Sequence, residues 1–137
     1  MRMQFVDTNI LIYGLGLSEG EEAKRDRACD ILGKGSFCLS VQVLQEFYTQ
    51  TTRASRTDPL THQAAVAVTG DLLEYPVQPM TVEIFQAALT TSQRYRISYW
   101  DAAIIEAARA LGCDTVLSED LQHGQDYGGV RVIDPFR

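Results

Sequence analysis

The sequence predicts an α/β fold built on a parallel sheet covered on both faces. Three observations carry that prediction. Short apolar runs suited to buried strands alternate with longer segments whose apolar residues recur at helical spacing. Glycines, prolines and helix-capping side chains punctuate the junctions between them. An acidic residue, Asp7, follows the first apolar run at once, at the strand end where such sheets bind ligands.

Bulk properties narrow the class. A chain of 137 residues fits one domain, residues 1–137, with enough interior for a real core. At 45% hydrophobic and 22% charged residues the composition is that of a soluble globular protein. Gly70 and Asp71 interrupt even the apolar stretch 64–73, so no run has membrane-spanning length. The amino terminus carries one arginine and then a strand pattern, which is no signal peptide, and the expected location is the cytoplasm. Cys29, Cys38 and Cys113 are scattered and unsupported by a Cys-x-x-Cys pair, so they suit small buried positions better than disulfides. With only His62 and His123 besides, a Cys/His zinc site is excluded, and any metal must be held by oxygen. A net charge of -6 argues against broad adhesion to nucleic acid, while allowing a local basic rim or a basic protein partner.

The elements follow in order. Phe5 and Val6 end a buried strand, Thr8 and Asn9 offer caps, and residues 10–13 form a short helix that stops near Gly14 and Gly16. Residues 19–32 read as an amphipathic helix with Ala23, Ala28, Ile31 and Leu32 on its apolar side, ended by Gly33 and Gly35. Residues 37–40 form a short buried strand, and Ser40 caps a helix carrying Val43, Leu44, Phe47 and Tyr48. The polar stretch 51–59 is a loop, helix resumes over 61–73, and Val77 sits in a very short strand between Pro76 and Pro79. Thr81 opens the next helix, with Val82, Ile84, Phe85, Ala88 and Leu89 on its apolar side. Arg94, Arg96, Tyr95, Tyr99 and Trp100 crowd ahead of Asp101, and Ser98 stands at capping-box spacing from it. A strongly apolar helix over 102–111 ends at Gly112, a strand covers 115–118 ahead of Glu119 and Asp120, and the last strand covers 130–133 after a glycine-rich loop.

Asp7, Glu46, Asp101 and Asp120 all fall at strand ends or on helices that face them. Each has a local explanation: Asp7 and Asp101 as caps, Glu46 as a solvated mid-helix residue. Those explanations do not predict a shared location. Four carboxylates on one sheet edge repel one another unless a hard cation neutralises them, which is the requirement of metal-assisted phosphodiester hydrolysis.

These residues carry a family resemblance. Phe5-Val6-Asp7-Thr8-Asn9-Ile10-Leu11, Gln45-Glu46-Phe47, Tyr99-Trp100-Asp101-Ala102 and Leu117-Ser118-Glu119-Asp120-Leu121 resemble the ordered motifs of PIN-domain ribonucleases, above all the VapC-like toxins of type II toxin–antitoxin pairs. The likeness runs from about residue 5 to 135, nearly the whole chain. It implies a three-layer α/β/α PIN-like fold with a central parallel sheet, Mg²⁺-dependent RNA cleavage with Mn²⁺ as a possible substitute, a cognate antitoxin and a homodimer. By the same resemblance Asp7, Asp101 and Asp120 are metal ligands, Glu46 completes the catalytic acids, Ser118 lies near the substrate phosphate, and Asn9 braces the site. Strand alternation aims only one of Glu119 and Asp120 inward, and Asp120 is the choice, with Asp126 a weaker fallback. Arg94 and Arg96 are candidates to meet the RNA backbone and Tyr99 or Trp100 to stack a base, although a solvated and core reading serves them equally well. A non-catalytic PIN-like binder and a housekeeping nuclease are the alternatives. Haloacid-dehalogenase phosphatases and receiver domains also begin with an early acid, but both need a late lysine, and none follows Lys34.

Overall fold

A computed structural model describes residues 2–137. Its elements run β1 (Gln4–Val6), α1 (Thr8–Gly14), α2 (Glu22–Gly33), β2 (Phe37–Ser40), α3 (Val41–Thr51), α4 (His62–Leu72), β3 (Val77–Gln78), α5 (Val82–Tyr95), α6 (Tyr99–Ala110), β4 (Thr115–Leu117) and β5 (Arg131–Ile133). The five strands form one parallel sheet in the order β3-β2-β1-β4-β5, within a three-layer α/β/α arrangement. The chain therefore winds outward from β1 to β3, crosses back over the sheet, and continues from β4 to β5. That reversal puts the switch point between β1 and β4, where parallel sheets open a crevice at their carboxyl ends.

The helix starts follow the capping chemistry in the sequence. Ser40, Thr61, Thr81 and Ser98 each stand in extended backbone and accept the backbone N–H three residues on. Asp7 caps α1, its carboxylate accepting from Thr8 N. α1 packs against α2 so closely at Gly14 that a Cβ there would collide with Leu32. The core is continuous from Phe5, Val6, Ile10 and Leu11 through Leu39, Val43 and Phe47 to Ile105, Val116 and Val132, all with no exposure.

Three expectations need correction. α2 begins at Glu22 rather than residue 19, because Gly20 takes a φ of 79° and breaks the helical path. Cys29 is exposed and donates to the Gly14 carbonyl, whereas Cys38 and Cys113 are buried with sulfurs 2.8 Å apart. α5 carries two apolar stripes, not one: Ile84, Ala88 and Thr91 are buried, but Val82, Phe85 and Leu89 face solvent. The i, i+3, i+7 spacing of the second set places it about a third of a turn away from the first.

Both sheet edges are closed off. β3 has two residues and lies between Pro76 and Pro79, which lack N–H donors. The outer edge of β5 is occupied by the preceding loop: Gly124 N donates to Val132 O, Val132 N to Gln125 O, and Tyr127 N to Val130 O. Asp126 bridges Arg131 in the antiparallel sense.

Candidate functional site

The switch point gathers the acidic residues. Asp7 follows β1, Ser118 and Asp120 follow β4, Glu46 lies on α3, and Asp101 occupies the first turn of α6. Asp7 is 7% exposed, and its two carboxylate oxygens are held separately. One accepts Thr8 N at 2.8 Å and the other accepts the Ser118 hydroxyl at 2.8 Å. Burial nevertheless pushes its pKa up to about 6; those two hydrogen bonds oppose the rise, and the charges of Glu46 and Asp120 add to it. Asp7 therefore caps α1 through one oxygen while the other is held by Ser118 at the sheet's carboxyl end.

Asp101 shows the same electrostatics at the opposite wall. Burial raises its pKa, a Ser98 hydrogen bond counters this, and Glu46 and Asp120 again add repulsion. Ser98 caps α6 by accepting Asp101 N at 3.0 Å, the forward half of the capping box. Glu46 is fixed through both oxygens, by the Thr8 hydroxyl at 3.0 Å and the Gln42 amide at 3.0 Å. The same Gln42 amide donates to the Trp100 carbonyl at 3.1 Å, so one buried side chain ties α3 to the start of α6. The Gln42 carbonyl oxygen is buried without a partner among the described residues.

Glu119 and Asp120 lie in a bend beyond β4 and take different partners. Glu119 turns to Lys24, with Nζ at 2.9 Å, and to the Tyr13 hydroxyl. Asp120 stays on the site side, where Asn9 Nδ2 reaches it at 3.2 Å. Asn9 also accepts Glu119 N at 3.3 Å, bracing the segment from below. Ser118 is enclosed by its surroundings. It has no exposure, its one proton goes to Asp7, and its oxygen accepts Asp120 N at 3.1 Å. A hydroxyl so placed orients the Asp7 carboxylate and holds the backbone that carries Asp120. Asp126 lies outside the group, accepting Gly129 N at 2.8 Å in its own loop turn. His123 is an exposed loop residue whose ring nitrogen accepts Asp134 N.

A polar pocket of about 250 Å³ opens among these groups, lined in part by Thr8, Asn9, Glu46, Arg56, Glu119 and Asp120. Its donors are hard oxygens, and the charges of Glu46 and Asp120 help raise the pKa values of the neighbouring Asp7 and Asp101, so the set suits a hard divalent cation. Among the described residues no three His, Cys, Asp or Glu side chains are grouped so as to hold a metal ion by themselves. Mg²⁺ does not require one, since it keeps several waters and binds through one or two carboxylates together with substrate phosphates. Trp100 is 63% exposed at the rim, edge-on to Tyr99, while Arg94 and Arg96 lie on the surface.

Two residues of this neighbourhood escaped sequence reasoning. Gln42 had a faint signal, its i, i+4 spacing from Glu46. Arg56 had none beyond its place in a polar loop.

Comparison with known proteins agrees with this fold. The PIN domain family matches residues 5–125. No curated protein matches the chain. Among solved structures, a toxin–antitoxin complex from Klebsiella pneumoniae superposes with a TM-score of 0.68 at 18% identity, covering 96% of this chain and 97% of that one. The sarcin–ricin-loop-cleaving toxin VapC20 of Mycobacterium tuberculosis gives 0.66 at 23% identity, with 85% and 91% covered. A DNA-bound VapBC complex from Salmonella typhimurium gives 0.65 at 18% identity, with 98% and 99% covered.

Proposed function

The chain belongs to the PIN-domain family, and on that premise we propose that it is a Mg²⁺-dependent endoribonuclease acting as the toxin of a VapBC-type pair. One observation carries the reading. Asp7, Glu46, Asp101 and Asp120 surround the switch point, none paired with a cation among the described residues, and two of them have raised pKa values. Asp7, Asp101 and Asp120 would hold the ion, with Mn²⁺ as a substitute. When bound, the metal polarises a phosphoryl oxygen and lowers the pKa of water. The protein's own work is positioning. Ser118 sets the Asp7 carboxylate, Asn9 sets Asp120, and Thr8 with Gln42 clamps Glu46.

The partner assignment rests on the company this fold keeps. Its structural neighbours include toxin–antitoxin and VapBC complexes, which supports a cognate antitoxin for this chain. The uncovered stripe of Val82, Phe85 and Leu89 on α5 is suited to a second protein surface, and a homodimer is the simplest occupant.

Purified, antitoxin-free protein should cleave structured RNA in Mg²⁺ or Mn²⁺, and lose that activity in excess EDTA or as Asp101→Asn. Undiminished cleavage in either case would falsify the proposal. Expression without the antitoxin should arrest growth while Asp7→Ala does not. Equal growth at equal levels of folded protein would instead favour a housekeeping nuclease.

A further inference from the structure

We propose that Arg56 is a phosphate anchor, gripping an RNA phosphate beside the one that is cut as the strand passes from the acidic pocket into a neighbouring groove. The inference rests on the reading of the site as ribonucleolytic and adds the element that reading lacks. A pocket lined by Glu46, Glu119 and Asp120 repels a polyanion, and the metal offsets only part of that repulsion. Among the described residues lining it, Arg56 is the one that carries positive charge. Lys24, the other cation nearby, is already paired with Glu119.

Arg56 also lies where a strand must leave. It lines a second, larger groove of about 720 Å³ between the turn after α1 and the loop after α3, and Ser18 and Arg56 are common to both cavities. Glu19 and Asp58 line that groove as well, which makes Arg56 the one point at which it can hold a phosphate tightly. The side chain is half-buried and donates to the Leu17 carbonyl. No carboxylate pairs with it among the described residues. A guanidinium has five N–H donors in a planar fork, so one backbone contact aims the group while leaving donors for a phosphate. The loop beneath is ordered by Arg56 N to Arg53 O at 3.1 Å and Leu60 N to Thr51 O at 2.8 Å.

The test separates binding from cutting. Anisotropy of a fluorescein-labelled RNA hairpin would be measured across a salt series in EDTA, for wild type, Arg56→Gln, Arg56→Lys and Arg2→Gln. Arg56→Gln keeps a donor for Leu17 and loses the charge. It should weaken binding roughly tenfold at low salt. It should also flatten the slope of log affinity against log salt by about one. Arg56→Lys should keep the slope and recover part of the affinity. Arg2→Gln, at the opposite end of the sheet, should match wild type. Wild-type affinity and slope in Arg56→Gln would overturn the anchor, as would Arg56→Lys binding no better than Arg56→Gln, or no salt-dependent binding by the wild type. An Arg56-dependent slope in a protein that never cuts in Mg²⁺ would leave the anchor standing and remove the nuclease.

Discussion

Helix α6 carries two acids that the fold treats in opposite ways. Glu106 is 6% exposed and fully partnered, accepting the Thr91 hydroxyl at 2.8 Å and the Arg109 guanidinium at 3.0 and 3.3 Å. Arg109 in turn donates to the Tyr127 and Gly128 carbonyls, pinning the loop between β4 and β5. Asp101, five residues earlier, is less buried, yet it has no cation among the described residues and lies near the charges of Glu46 and Asp120. The same contrast recurs on adjacent residues, with Glu119 paired to Lys24 and Asp120 held only by the neutral Asn9. Burial is therefore a poor guide to function here. The sign of the partner is the better one: structural acids are neutralised by the protein, and candidate ligands are left for something else to neutralise.

The sharpest way to break this comparison is to neutralise both acids of α6. Asp101→Asn should reduce RNA cleavage more than roughly 100-fold, beyond what loss of an outer partner costs. It should leave urea stability unchanged or higher, because it removes like-charge repulsion. Glu106→Ala should do the reverse: a loss of about 2–3 kcal/mol in urea unfolding, from an Arg109 left without its carboxylate, and cleavage per folded molecule close to wild type. If Asp101→Asn destabilises as much as Glu106→Ala, the distinction collapses.

Metal response comes next in size. Millimolar Mg²⁺ should stabilise the wild type by roughly 1–3 kcal/mol if present at 10- to 100-fold its dissociation constant, and Asp7→Asn should lose most of that gain. Equal Mg²⁺ shifts in thermal melts would show Asp7 to be a cap alone. A smaller effect follows from its titration. With a folded pKa near 6 against 3.8 unfolded, Asp7 makes the metal-free native state the better proton binder. Its unfavourable contribution is then present above pH 6 and is relieved as pH falls towards 4. In EDTA, taking the pH from 7.5 to 5 should stabilise wild type relative to Asp7→Asn by roughly 1 kcal/mol. A shift of opposite sign would contradict the raised value. The least effect is expected from Lys24→Met, which frees a partly exposed Glu119; the melting temperature should barely move.

Legibility tracked how local each determinant is. Ser40, Thr61, Thr81 and Ser98 declare their helices within three residues, and the strand ends place Asp7 and Asp120 on one sheet edge. The Glu119–Asp120 divergence is not set by strand alternation, since both lie past β4, and the partner that claims Glu119 is Lys24, 95 residues away. Ser118 gives its one proton to Asp7, a direction that only its three-dimensional neighbours decide. Gln42 acts through contacts to Glu46 and Trp100, of which the second has no sequence signature. The two stripes of α5 are visible in composition, yet which stripe faces α6 depends on packing that periodicity does not contain.

The blocked margins of the sheet constrain how this molecule can join others. β3 offers two residues flanked by prolines, and the ladder positions outside β5 are taken by the chain itself. Neither margin offers a long free ladder, so adding a strand from another chain is disfavoured at both. Association is left to helical surfaces, with side chains in place of backbone ladders setting the specificity. Pairing chosen by side chains can be rewritten by a few substitutions, which is the kind of recognition that lets closely similar domains share a cell without exchanging partners.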